Sequence, residues 1–419
     1  MQEQEIHASF TTTSPATISS IKHQWARSLV HRLLAQLSHG HLTLEENGQI
    51  QEFGEGRHEA SIKACIRIKH PQAYEQIVRN GSIGAGEAFM QGWWESPDLV
   101  EVIRLFAANL DVNENLRASP VRRWLQRAHH WLRSNTRSGS RSNIAAHYDL
   151  SNEFFRLFLD DTLAYSAGIY LHENATLEQA SLAKFRRICD QLELKPADHL
   201  LEIGTGWGGL AIFAARNYGC RVTTTTISHQ QFLHATDWVE REGLGHLVTV
   251  VERDYRELEG SFDKLVSVEM IEAVGTAYYE SYFSQCSKLL KPKGLLLIQA
   301  ITIPDQRYQE SLDSSDFIKR YIFPGGQLPS PSIITTHVGK YTDMQLVNVI
   351  DMTLDYARTL AHWRERFQRN LPAVRQLGFD EIFVRMWQYY LCFCEGGFRE
   401  RAINTAQFLF AKPAYRNQI

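Results

Sequence analysis

Residues 199–209 read HLLEIGTGWGG, an apolar run that ends in Glu202 followed by a turn carrying Gly204, Gly206, Gly208 and Gly209. The helix-compatible segment LAIFAARNYG follows at 210–219. A strand, a glycine turn and a helix in that order bring backbone close to a bound cofactor, an approach that Cβ atoms would block. Dinucleotides and S-adenosylmethionine (SAM) are both held by turns of this kind. The spacing E-x-G-x-G-x-G favours SAM. So does the following strand, RVTTTTIS at 221–228, which ends without an acidic residue to take a ribose.

At 419 residues the chain exceeds one ordinary core, and two or three domains are expected. A hydrophobic content of 44% with 22% charged residues is that of a folded, soluble protein. A net charge of −3 excludes a generally basic protein that coats nucleic acid. The charge is uneven, however. No acidic residue lies between Glu114 and Asp149, where Arg117, Arg122, Arg123, Arg127, Arg133, Arg137 and Arg141 all fall, together with Trp124 and Trp131. Such a stretch suits transient contact with an anionic membrane surface, the alternative being a solvated basic linker. The six cysteines show neither disulfide nor zinc spacing, so a reducing cytoplasm and no metal are expected. The N-terminus lacks a secretory pattern, and no apolar run reaches the roughly 18–20 residues that span a bilayer.

Residues 1–20 are polar and expected to be flexible. From 21 to 112 a small α+β domain is expected. Its first helix carries Ile21, Trp25, Leu29, Leu33 and Leu37 and runs to Gly40; it either docks on its own domain or lies on lipid. Alternating strands at 41–45 and 60–69 and helical patterns near 72–80, 85–93 and 98–109 follow. This domain is a candidate for lipid or homodimer contact. Residues 113–143 read as the Arg-rich helix and its linker. From 144 to 419, strands at 199–203, 221–226, 247–251, 263–268, 294–301 and 405–411 are separated by helices. That rhythm predicts an α/β, doubly wound, mostly parallel sheet with its ligand at the carboxyl ends of the strands.

Seven segments in order carry a more specific resemblance: HYDLSNEFFRLFLDDTLAYSAGIY (147–170), EIGTGWGG (202–209), VSVEMIEAVG (266–275), QAITIPDQRY (299–308), FIKRYIFPGGQLPS (317–330), YARTLAHW (356–363) and YYLCFCEGGFR (389–399). Over about residues 140–411 the chain resembles the cyclopropane-fatty-acid synthases and the mycolic-acid-type synthases. The resemblance implies a Rossmann-like, SAM-dependent enzyme that acts on the cis double bond of phospholipid acyl chains, at the inner face of the membrane. An alkene attacks a sulfonium methyl without prior deprotonation. The difficulty comes afterwards, when a carbocation in an apolar tunnel must be stabilised and one proton removed to close a ring.

The resemblance further implies that a bound bicarbonate is the base, cradled by a glutamate, a histidine, a tyrosine and main-chain amides near a cysteine and an isoleucine. By alignment of motifs, Glu272, Tyr356 and Ile301 match the glutamate, tyrosine and isoleucine. The histidine position holds Gln299, which donates but carries no charge, and the cysteine position holds Ala167, which keeps only its N–H. Glu269 and Ala273 depart from the family's G-x-x-E-H. Ring closure is therefore the expected outcome, with methylation that stops short of a ring as the alternative.

On the cofactor side the resemblance places Tyr165 and Ser166 over SAM, Gly204 and Gly206 against it through backbone, Thr226 and Gln231 near ribose and methionine, and Asp254 and Tyr255 at the adenine. Cys394 falls at a cysteine once proposed to be catalytic; an olefin needs no thiol, so packing is the favoured reading. His147 and Glu153 are expected to orient a cover helix, and Phe317, Tyr321 and Phe323 to line an acyl tunnel or form a lid. A small-molecule methyltransferase and a non-enzymatic lipid-binding protein are the competing functions. The apolar flanks of 317–323 and 387–398 oppose the first, and an intact SAM site opposes the second.

Overall fold

The computed structural model describes residues 15–56, 58, 61–110 and 151–416; the Arg-rich stretch and His147 lie outside the described residues. The chain forms two compact units, Met1–Ala118 and Ser119–Ile419.

In the N-terminal unit, helix Pro15–Leu34 precedes a hairpin of β1 (His41–Glu46) and β2 (Gln49–Gly54). Next come β3 (Lys63–Ile68), the helical span Gln72–Met90, β4 (Trp94–Glu95) and helix Leu99–Ala108. The sheet order is β2-β1-β3-β4, with β3 parallel to β1. Asn47 and Gly48 turn the hairpin at positive φ, 50° and 76°, as a two-residue turn of that handedness requires. Four expectations need correction. β2 was not foreseen, because its QIQEFG residues are mostly exposed and polar. The first helix stops at Leu34 rather than Gly40, since the Asn109 carboxamide accepts from the N–H groups of Ser38 and His39 and holds that segment out of the helix. The buried stripe of the helix is Ala26, Val30 and Leu34, one position on from the expected one, leaving Trp25 61% exposed. The two helical patterns at 72–80 and 85–93 are one span broken at Gly81 (φ 54°, ψ −135°).

The C-terminal unit is built on β5 (His199–Ile203), β6 (Arg221–Thr226), β7 (Val248–Glu252), β8 (Phe262–Val268), β9 (Leu290–Thr302), β10 (Gln345–Asp351) and β11 (Asn404–Ala411). Their order is β10-β11-β9-β8-β5-β6-β7. The five strands from β9 to β7 are parallel; β11 and β10 are added antiparallel. This is the α/β sheet expected, with β10 as an unforeseen edge strand. Leu346 and Val347 are adjacent and exposed, so the strand has no alternating pattern, and its register shifts between Leu346 and Asn348.

Both faces of the sheet are covered, which is why its central strands are almost continuously apolar. Leu200, Val222, Val266 and Leu297 face helices Leu177–Gln191 and Gly209–Tyr218, through Ile188, Leu210 and Ala214. One residue along, Leu201, Leu265, Leu296 and Ile298 face helix Tyr279–Leu289, through Phe283 and Cys286. The alternation follows from the two-residue period of a strand. Helices Thr353–Arg369 and Glu381–Arg399 pack on each other and contribute the aromatic side chains of the site described next. Among the described residues, no helix is long and apolar enough to cross a membrane.

Candidate active site

Beyond the carboxyl end of β5 the chain turns through Gly204 and Gly206 at φ of 102° and 53°, values that L side chains adopt only under strain. The N–H groups of Gly204 and Thr205 both donate to the Thr225 carbonyl at 3.0 and 3.1 Å, tying the turn to the end of β6. A Cβ at Gly209 would stand 2.5 Å from the Thr162 carbonyl oxygen, so the helix starts there only because that residue is glycine. Beneath the turn the buried Glu202 carboxyl accepts from Thr224 Oγ1 at 2.6 Å, and burial raises its pKa to about 8.

This corner opens into a cavity of about 350 Å³, within the range of small-molecule sites. All eight residues expected at the cofactor line it: Tyr165, Ser166, Gly204, Gly206, Thr226, Gln231, Asp254 and Tyr255. Thr226 Oγ1 donates to Gln231 Oε1 at 2.9 Å, so these two side chains position each other. Ser166 Oγ accepts from the fully buried Lys184 ammonium at 2.6 Å; burial lowers the lysine pKa to about 8. Asp254 is less free than expected. Its carboxylate caps the following turn through the Arg256 N–H and is clamped by the Arg256 guanidinium at 2.8 and 2.5 Å.

The far part of the cavity is aromatic and apolar. Tyr165, Phe323, Tyr356, Tyr390, Phe393 and Phe398 line it. The Tyr165 and Tyr390 hydroxyls are 2.8 Å apart, and the Tyr165 ring lies 5.1 Å from that of Trp363. Of the three aromatics expected in a tunnel or lid only Phe323 reaches the cavity; Phe317 is fully buried against Tyr321 and Tyr389. Glu153 lies in the short helix Asn152–Arg156, whose Phe154 and Phe155 are fully buried. Cys394 lines the cavity, but burial pushes its thiol well above the usual range and keeps it neutral, which leaves it a packing side chain.

Of the residues expected to cradle an anion, Ala167, Gln299 and Tyr356 converge on a side chain of the protein, that of Glu269, while the Ile301 N–H meets Glu272. Glu269, just past the end of β8, holds φ at 50° and is half-buried. Its Oε1 accepts from the Ala167 N–H at 3.0 Å and from Gln299 Nε2 at 2.8 Å; its Oε2 accepts from the Tyr356 hydroxyl at 2.7 Å. Gln299 is held in that orientation by a chain of amides, Gln191 donating to Gln407 at 2.7 Å and Gln407 to Gln299 at 3.0 Å. The Tyr356 ring is fixed by stacking on Phe398, centroids 4.4 Å apart. Glu269 faces the cavity, whereas Ala167 and Gln299 lie behind it and are completely buried. Glu272 also lines the cavity. Its Oε1 accepts from the Ile301 N–H at 2.5 Å, while its buried Oε2 has no hydrogen-bond partner. Burial and the neighbouring Glu269 raise the Glu272 pKa to about 8, and burial raises that of Glu269. Two carboxyls in one dry pocket ionise one at a time. Glu269, with three donors and the Lys184 charge, is the one suited to ionise first.

The sequence pattern flagged Glu269 only as a departure from a glycine. The signal available was chemical: an acidic residue at a strand end where the backbone is left-handed. Lys184 and Gln407 gave none, because their partners are 18 and 108 residues away in sequence. Among the described residues, no group of three or more His, Cys, Asp or Glu could hold a metal ion.

Comparison with known proteins gives the family. Residues 135–408 match the family model described as mycolic acid cyclopropane synthetase. The chain is 38% identical over 360 residues to the tuberculostearic acid methyltransferase UfaA1 of Mycobacterium tuberculosis, covering 81% of this chain and 82% of that protein. It is 36% identical over 361 residues to the cyclopropane-fatty-acyl-phospholipid synthase of Escherichia coli K12, covering 84% and 89%. Among solved structures, the mycolic acid cyclopropane synthase CmaA1 complexed with SAH and CTAB superposes with a TM-score of 0.61 at 30% identity, covering 65% of this chain and 98% of that one. With the glycine corner, the aromatic cavity and its two carboxyls in place, this chain belongs to the mycolic acid cyclopropane synthetase family and is a SAM-dependent transferase.

Proposed function

We propose that this enzyme transfers the sulfonium methyl of SAM to the cis double bond of a phospholipid acyl chain and closes it to a cyclopropane. The observation that carries this reading is one cavity that joins the glycine corner to a wall of aromatic side chains, Tyr165, Phe323, Tyr356, Tyr390, Phe393 and Phe398, with the Glu269 and Glu272 carboxyls facing it. A polar substrate would be left unsatisfied along that wall, whereas a hydrocarbon tail packs against it. SAM supplies an electrophilic methyl group. The protein's share is positional and electrostatic: Tyr165, Tyr356, Tyr390 and Phe323 present ring faces or edges to developing positive charge, and a held carboxylate offsets it.

The E. coli relative's name, cyclopropane-fatty-acyl-phospholipid synthase, supports ring closure on phospholipid. The comparably similar tuberculostearic acid methyltransferase supports the second reading, a methyl branch in place of a ring. The Arg-rich stretch at 117–141 is the proposed contact with the anionic inner membrane face, and the cytoplasm the proposed compartment. Expression in a bacterium lacking its own synthase tests the proposal, with lipid fatty acids read by mass spectrometry. Addition of one CH₂ unit with loss of the double bond is the expected result; the same addition with the double bond kept means branching. An unchanged profile under good expression refutes acyl-chain chemistry.

A further inference from the structure

We infer that Glu269 is the catalytic base of this enzyme, a carboxylate built into the chain where the family resemblance puts a bound bicarbonate. The inference rests on the proposed acyl-chain reaction and adds the group that completes it.

Four observations support this. The donors that the resemblance assigns to an anion, the Ala167 N–H, the position-299 side chain and the Tyr356 hydroxyl, are the three donors that Glu269 accepts from, at 3.0, 2.8 and 2.7 Å. Ala167 and Gln299 are shut off from the cavity behind it, so a separate anion could reach them only by displacing the side chain. The fourth expected contact, the Ile301 N–H, is taken by Glu272. Finally, Glu269 holds a left-handed backbone, φ 50°, where glycine stands in the family pattern. A large acidic residue in that conformation costs strain that persists only where its surroundings over-determine it, as at functional sites. The residues present therefore do not fit a bound bicarbonate; they fit the carboxylate already there.

The step balances without another reactant. The alkene π pair forms a C–C bond to the methyl carbon as the S–C pair leaves with S-adenosylhomocysteine. The other alkene carbon is left cationic. The Glu269 carboxylate then takes one proton from the new methyl group, and the released C–H pair closes the ring on the cation. Glu269 ends as a carboxylic acid and returns its proton to solvent after product leaves.

Three proteins test this: wild type, Glu269→Gln and Glu269→Gly. Glycine suits φ 50° and re-opens the cradle, whereas glutamine fills it without a basic oxygen. Activity on monounsaturated phospholipid vesicles is measured in CO₂-free buffer and with added bicarbonate, and binding of [¹³C]bicarbonate is followed by NMR line broadening. The wild type is expected to work equally, within about twofold, in both buffers and to bind no bicarbonate. E269Q is expected to lose a factor of about 10²–10⁴ in rate in both, the usual worth of a general base. E269G is expected to lose as much without bicarbonate, to regain at least tenfold with it, and to bind the labelled ion. Wild-type activity that collapses in CO₂-free buffer and returns with bicarbonate overturns the inference, as does wild-type binding of the ion. The binding arm stands apart from turnover. An inactive wild type that excludes the ion while E269G admits it refutes the acyl-chain reading and leaves the anion-mimicking carboxylate intact.

Discussion

Replacing Tyr356 by Phe removes one oxygen and little else, because the ring stays stacked on Phe398 at 4.4 Å and buried. What disappears is the 2.7 Å hydrogen bond to Glu269 Oε2, the single donor to that oxygen. A hydrogen bond to a charged group is worth about 1.5–3 kcal/mol, and one pKa unit corresponds to about 1.4 kcal/mol, so the Glu269 pKa rises by about 1–2 units. A base acts only when ionised. Activity is therefore lost as pH falls through the Glu269 pKa, which burial already holds above the ordinary carboxylate value. The charged or titratable groups that act on it are Lys184, which lowers that pKa, and Glu272, coupled to it within the same pocket. The variant keeps both. The acid limb of log kcat/KM against pH is expected to move upward by about 1–2 units in Y356F. Initial rates on vesicles between pH 5 and 9 measure it. A folded Y356F with an unmoved acid limb would refute the assignment of Glu269 as the titrating base.

Other consequences are separately testable. Glu272 titrates near 8 in the fold against 4.5 when unfolded, so the folded state holds its proton more tightly and the stability this confers at low pH is lost as pH rises between those values. The melting temperature of Glu272→Gln relative to wild type should therefore climb from pH 5 to 8 and level off above it; a constant difference contradicts the shift. Cys394→Ala should retain the rate within about twofold, since the thiol is held neutral and the thiolate is the nucleophilic form; a hundredfold loss would restore the thiol as a participant. Gly209→Ala drives a Cβ to 2.5 Å from the Thr162 carbonyl, and overpacking of this kind costs about 1–3 kcal/mol, read as a lower denaturation midpoint. Binding to anionic vesicles should fall steeply from low to high salt, and replacing Arg122, Arg123 and Arg127 by Gln should flatten that dependence.

The sheet was legible because its strands are buried on both faces and read as apolar runs, HLLEI and GLLLIQA among them. β10 was not, since an exposed edge strand with a register shift has no such run. β2 was missed as well: Asn47-Gly48 is a hairpin-turn signal, but the polar, mostly exposed residues of the strand masked it. The cofactor corner was legible through its glycines, though Gly204, Gly206 and Gly209 also satisfy G-x-G-x-x-G; the missing acid after β6 and the motifs downstream separated the two cofactor classes. The anion cradle was legible as a set of donors. What they hold was not, because the identity of an acceptor depends on where a left-handed residue swings its side chain, and Glu269 approaches Ala167 across 102 residues of sequence. The two facing carboxyls, one hydrogen-bonded on both oxygens and the other on one, emerge only when the ends of β8 and β9 lie side by side.

The most direct measurement is isotope transfer. Purified enzyme is incubated with [methyl-¹³C]SAM and vesicles of a phospholipid carrying one cis double bond, and the recovered fatty acids are examined by ¹³C NMR. A labelled ring methylene, formed one for one with S-adenosylhomocysteine, is the result expected of a sulfonium donor aimed at an acyl alkene. Acyl chains that stay unlabelled while the same protein binds SAM tightly would contradict it.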